Sequence, residues 1–223
     1  MVLISSVCHA YANWKIPFDE YVNTIRLDKT SAKPYVRNVL YALACVSIII
    51  IGFLIASLLT GENIFNIERI LGFPDNEGNL SSFAFAFNFI PGFFEEVAYR
   101  RIILVLLLRK YSEKISIIIS GIMFGVSHLI NVLVNSITWN TLSQITKGIL
   151  IGTFFAYVVI KSGTLLITMG IHYLYNSFSI LFVVFNESDS ITYFFLKLIF
   201  ASIIPIVING FLARYLLKSK IDS

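Results

Sequence analysis

The sequence predicts an all-α fold, a polytopic bundle of membrane-crossing helices. Three observations predict it. Of 223 residues, 57% are hydrophobic and 13% charged, against about 45–50% and about 25% in soluble domains. Mean hydropathy is +0.81. The apolar residues also gather into six long runs separated by polar punctuation. A soluble globule could not cover twenty Phe and eleven Tyr, and so apolar a chain cannot remain disordered. Six crossings at about 20 residues each would use about 120 residues, most of the apolar inventory of one membrane domain.

The six segments run over 39–59, 80–108, 115–134, 142–160, 164–185 and 191–217. Each is justified by its apolar run and by the charges that bound it. The first follows a basic stretch, Lys15, Arg26, Lys29, Lys33 and Arg37, and ends at a loop holding Glu62, Glu68, Asp75 and Glu77 against Arg69. The second would be about 43 Å long as one straight helix, too long for an apolar core of about 30 Å. Pro91-Gly92 inside it predicts a kink or break. The third starts after Arg109, Lys110 and Lys114 and ends at the uncharged 135–140 turn. The fourth stops at Lys161, the fifth before Glu187 and Asp189, and the sixth before Lys218 and Lys220. Lys147 and Lys197 sit near segment ends, where a long side chain can snorkel.

This alternation of loop charge predicts that both termini are cytoplasmic. The net charge of +4 is spread over those clusters and forms no basic face for nucleic acid. Residues 1–38 are expected to be a cytoplasmic or interfacial segment, with room for one extra amino-terminal helix. Residues 39–217 form the transmembrane domain and 218–223 a cytoplasmic tail. Cys8 and Cys45 build no disulfide framework and no CxxC motif.

Ionisable residues inside the segments carry the functional signal. Glu95 and Glu96 follow Pro91-Gly92-Phe93-Phe94 directly. A carboxylate at bilayer depth is unfavourable by about 2.5–3.5 kcal/mol and marks a functional site by default. Arg100 lies four residues after Glu96, on the same helical face, so this pair is expected to neutralise itself. Glu95 is turned about 100° away and left available. His128 follows Phe124 by one helical turn, and His172 precedes Asn176 by one turn. A lone membrane histidine is more often an interhelical hydrogen bond than a catalyst. Here Glu95, His128, His172 and Asn176 all fall about 12–20 Å from the cytoplasmic end of their segments. Three segments therefore bring polar groups to one level.

Such a set permits hydrolysis inside the bilayer. A buried glutamate beside a histidine can act as general base on water. A second histidine and an amide can stabilise the oxyanion formed on an attacked carbonyl. There is no HExxH, and no aspartate lies within a segment, which removes zincin-like and aspartyl-dyad arrangements. Ser127 with His172 could mimic a serine–histidine dyad but leaves Glu95, Glu96 and Arg100 unexplained.

Glu95-Glu96-x-x-x-Arg100, Phe124-x-x-x-His128 and His172-x-x-x-Asn176 together resemble the three motifs of the CPBP (Abi) family. That family groups CAAX-type prenyl endopeptidases with bacteriocin-processing and self-immunity membrane proteins. The resemblance implies an intramembrane endopeptidase in which Glu95 and His128 activate water and His172 with Asn176 stabilise the oxyanion. Glu96 and Arg100 would support the site. The family is often labelled metalloprotease. Two histidines and a carboxylate, here Glu95, His128 and His172, could hold Zn²⁺, but Asn is a poor zinc ligand and a metal-free site is favoured. The expected partners are the lipid bilayer and a membrane-associated peptide or protein, without nucleic acid. The expected location is a bacterial plasma membrane. Two rivals stand beside this reading: a non-catalytic immunity or scaffold protein, and a small transporter. Transporters often show paired broken helices, whereas one segment here carries a Pro-Gly interruption.

Overall fold

The computed structural model describes residues 32–60, 88–133, 139–183 and 191–217. The expectations for residues 1–31 and for the 218–223 tail lie outside the described residues, and so do most of the loops between segments. Among the described residues there is no strand, and six helices form the bundle. Helix α1 spans Ala32–Thr60. Helix α2 covers 89–108, made of Phe89–Glu96, a wide π-helical stretch Val97–Ile103, and Leu104–Leu108. Helix α3 is Glu113–Ser127, continued by a 3₁₀ stretch His128–Leu133. Helices α4 and α5 are Trp139–Ser162 and Leu166–Val183. Helix α6 covers 191–216, with a second π-helical stretch at Ile199–Ile203.

Four helical stretches are long and apolar enough to cross a membrane: Val36–Leu59, Glu113–Ile130, Thr141–Ser162 and Phe194–Leu216. Spans of this length and apolarity make this an integral membrane protein. The other two expected segments contain α2 and α5, the helices bearing Glu95, Glu96, Arg100, His172 and Asn176. In α2 the polarity is concentrated, because Glu95, Glu96, Arg100 and Arg101 all fall within it.

Helix α4 lies at the centre. Of its apolar window 44% is buried, against 24–33% in the other three, and it contributes to two cores on different faces. Phe154, Phe155 and Val158 pack with Tyr41, Cys45 and Ile49 of α1, Ile167 and Ile171 of α5, and Ala201 and Ala213 of α6. Ala156 and Val159 pack with Leu104 and Val105 of α2 and Ile117 of α3. Between α4 and α5 the chain reverses at Gly163, whose φ of +68° suits only a residue without a Cβ. The Gly163 N–H donates to the Val159 carbonyl at 2.8 Å and closes α4.

Polar groups link the apolar helices where lipid offers them no partner. The Tyr41 hydroxyl donates to the Asn209 carbonyl at 3.0 Å, and the Asn209 amide donates to the Cys45 carbonyl at 3.3 Å, tying α1 to α6. Ser120 donates to the Tyr99 carbonyl at 3.2 Å and ties α3 to α2.

The α3–α4 crossing was not anticipated from the sequence. It is built from Gly121 and Gly125 on one helix facing Gly148 and Gly152 on the other. A Cβ placed on Gly148 would lie 2.9 Å from the Gly125 Cα, and one on Gly152 would lie 3.1 Å from the Gly121 Cα. A side chain at any of these positions must force the two helices apart. The spacing Gly-x-x-x-Gly on both helices is the readable signal for it.

Candidate active site

Pro91 lies in the first turn of α2 as described, where its missing N–H costs no internal hydrogen bond. The expected kink or break would involve residues 80–87 as well, which lie outside the described residues. Gly92 has a different use. A Cβ there would stand 3.4 Å from the Tyr173 backbone nitrogen, so the glycine lets the start of α2 lie against α5 beside His172. The irregularity of α2 comes later, at Val97–Ile103, immediately after the two glutamates and around Arg100. Wide turns of this kind recur at functional sites.

The Glu96–Arg100 pair forms as its spacing predicts. Arg100 Nη1 is 3.0 Å from Glu96 Oε1, and both side chains have no solvent exposure. Arg100 Nη2 donates to the Gly152 carbonyl at 3.3 Å. The guanidinium lies 4.4 Å from the centre of the Phe124 ring and 5.3 Å from that of Phe155. Glu96 Oε1 also accepts from His172 Nδ1 at 3.0 Å. With an ion-paired carboxylate at Nδ1, that nitrogen carries the hydrogen, and Nε2 becomes the working atom of the ring.

That Nε2 faces Glu95. The distance to Glu95 Oε2 is 3.5 Å. The Glu95 side chain is 35% exposed while that of Glu96 is fully buried, so adjacent carboxylates have opposite surroundings. One is locked in an ion pair and the other is open to a reactant. Sequence spacing alone leaves Glu95 without a partner; the bundle supplies His172 from α5.

His128 ends α3, where the helix tightens to 3₁₀. Its Nδ1 is 3.0 Å from the Phe124 carbonyl, which also accepts from the Ser127 hydroxyl at 2.6 Å. Ser127 is thus tied to its own helix backbone, as a structural serine would be. Among the described residues no hydrogen bond or ion pair joins His128 directly to Glu95. The link between the two histidines is aromatic: Phe124 is edge-on to both, 5.2 Å from the His128 ring and 5.9 Å from the His172 ring. Asn176, half-buried, lies one turn beyond His172 on α5. The structure therefore brings Glu95, Glu96, Arg100 and His172 into direct contact and sets His128 across the Phe124 ring. Phe155, its ring tilted at 54° and 5.6 Å from that of His172, is a neighbour that no motif marks.

A zinc site can be tested on the donor set. His172 Nδ1 is committed to Glu96, His128 Nδ1 lies against the Phe124 carbonyl, and His172 Nε2 faces Glu95. Among the described residues no group of three His, Cys, Asp or Glu side chains is arranged to hold a metal ion.

Residues 77–178 match the family described as type II CAAX prenyl endopeptidase Rce1-like. The matched stretch contains all three motifs, from Glu95 to Asn176. No curated protein and no solved structure matches the chain.

Proposed function

Because residues 77–178 are an Rce1-like domain of the CPBP/CAAX protease family, we propose that the chain is an intramembrane endopeptidase that cleaves a CAAX-type, membrane-associated peptide or protein through a water activated by Glu95. Processing of bacteriocin-like leader peptides would use the same chemistry. The observation that carries the reading is the contrast between the two glutamates. Glu96 is buried and paired with Arg100, while half-open Glu95 stands 3.5 Å from His172 Nε2.

The proton inventory follows from these contacts. Glu95 accepts a proton from water as its oxygen adds to the scissile carbonyl. His172 holds its Nδ1 hydrogen on Glu96, so its Nε2 has a lone pair while neutral. The proton on Glu95 is within reach of that Nε2. Its transfer leaves an imidazolium whose Nε2–H can stabilise the oxyanion and then protonate the departing amine. Asn176 adds an amide donor from the same helix. His128, with Nδ1 held at the Phe124 carbonyl, presents Nε2 as the second nitrogen able to bind or orient the water. No step in this scheme requires a metal.

The test is Glu95→Gln assayed on an internally quenched, farnesylated CAAX peptide in detergent. Gln keeps the shape but takes no proton, so cleavage should disappear while the variant purifies and melts like wild type. Wild-type turnover by Glu95→Gln would remove Glu95 from the mechanism.

A further inference from the structure

We infer that Gly148 is a positioning residue for His128, acting through a contact between α3 and α4 that only a residue without a side chain permits. The inference rests on the reading of His128 as a catalytic group. Gly148 itself touches no reacting atom.

The His128 ring is held from several sides. Its Nδ1 is tied to the Phe124 carbonyl at 3.0 Å, and its plane meets the Phe124 ring at 73° with centroids 5.2 Å apart. The α4 backbone at Gly148 forms a further wall. A Cβ there would lie 3.4 Å from His128 Nδ1 and 3.6 Å from Cε1, and 2.9 Å from the Gly125 Cα. A methyl at this position would meet the imidazole at ordinary van der Waals distance and must push the α3 backbone at Gly125, three residues before His128. A shift of α3 there carries with it the His128 ring and the Phe124 carbonyl that fixes its Nδ1. Gly170 in α5 and Gly210 in α6 show the contrast, since a Cβ at either would meet nothing within 4 Å.

Other glycines of the same crossing do not touch the histidine. A Cβ on Gly121 would meet Thr153, one on Gly125 would meet Ile145 and Ile149, and one on Gly152 would meet the Phe124 ring. Loss of tight packing and displacement of His128 can thus be separated by position.

Four variants test this: Gly148→Ala, Gly121→Ala, Gly170→Ala and His128→Ala. Two readouts are used, cleavage of the quenched farnesylated CAAX peptide and the rate of His128 carbethoxylation by diethyl pyrocarbonate, followed by mass spectrometry of the His128 peptide. Gly148→Ala should lower kcat by about ten- to a hundredfold with KM nearly unchanged, as for a misplaced catalytic group, and should alter His128 reactivity severalfold. Gly170→Ala should behave as wild type in both. Gly121→Ala should lower the melting midpoint yet keep wild-type His128 reactivity and kcat per folded molecule. The inference fails if Gly148→Ala matches wild type in His128 reactivity and kcat, or if Gly121→Ala loses as much kcat at an equal loss of midpoint. Should Gly148→Ala not fold, the same substitution in an Ile149→Ala background, which frees room beside Gly125, decides by His128 reactivity alone. Should the peptide not be cleaved by wild type, carbethoxylation of Gly148→Ala again decides. Full cleavage by His128→Ala would instead overturn the catalytic reading of His128 and this inference with it. An inactive His128→Ala beside an unaffected Gly148→Ala overturns only the role of Gly148.

Discussion

Glu96→Ala is the perturbation whose energetic outcome the structure defines best. In the wild type, Arg100 has no solvent exposure and a carboxylate at 3.0 Å. After the substitution, its remaining contacts are the Gly152 carbonyl at 3.3 Å and the Phe124 and Phe155 rings. These are present in both proteins, so they offset nothing. Removing one partner of a buried ion pair is unfavourable by about 3–5 kcal/mol. His172 Nδ1 loses its acceptor as well, and an unsatisfied buried donor adds about 1–3 kcal/mol. The two losses share one cavity and are not additive, which puts the total at about 5 kcal/mol. For a domain of this size that corresponds to a melting shift of about 10–20 °C. The buried thiol of Cys45 provides the assay. In a Cys8→Ala background, a thiol-reactive fluorogenic maleimide reports the temperature at which α1 leaves the bundle. The companion variant Glu96→Leu/Arg100→Met replaces both charges with apolar groups of similar volume and should recover most of the loss. A wild-type midpoint for Glu96→Ala, or a double variant that melts lower still, would refute the pairing argument.

Other expectations follow from the same geometry. Asn176→Ala should lower turnover by about 10²–10³ with little change in melting, as when one oxyanion donor is removed. Chelators should leave cleavage of the CAAX peptide unchanged, and purified protein should contain substoichiometric zinc; stoichiometric zinc that disappears in His128→Ala or His172→Ala would make those histidines ligands. In a Cys8/Cys45-free background, cysteines placed at Asn76 or Ser188 should react with an impermeant thiol reagent from outside intact cells. Those at Ser112 or Ser162 should react only after permeabilisation, and the reverse pattern would invert the membrane orientation.

The helical bundle was legible because bilayer solvation imposes one pattern on spanning segments, long apolar runs with charges at their ends. The ion pair was legible for a local reason, since Glu96 and Arg100 are one turn apart. The partner of Glu95 was not. His172 lies on another helix, and sequence depth gives a level within the bilayer but no azimuth around the bundle. The same limit hides Phe124 as the ring between the two histidines, although its motif marks the residue. Pro91-Gly92 drew attention for its proline, whereas Gly92 matters through its closeness to Tyr173. The π-helical stretch in α2 has no Pro or Gly within Val97–Ile103 to announce it; tertiary packing selects it.

That wide stretch has a consequence for how the site can be altered by insertion or deletion. Leu104 and Val105 anchor the far end of α2 in the core shared with α3 and α4, while the near end carries Glu95 and Glu96. The π-helical stretch lies between them. Deleting one residue inside 97–103 would allow an unbroken α-helical ladder, a locally more regular structure. The two ends would keep their facing, because a wide turn absorbs one residue with little net rotation, but the backbone around Arg100 would narrow. Point substitutions along α2 act one contact at a time, but a single-residue deletion there acts on the turn that carries Arg100 while leaving both flanking ends in phase.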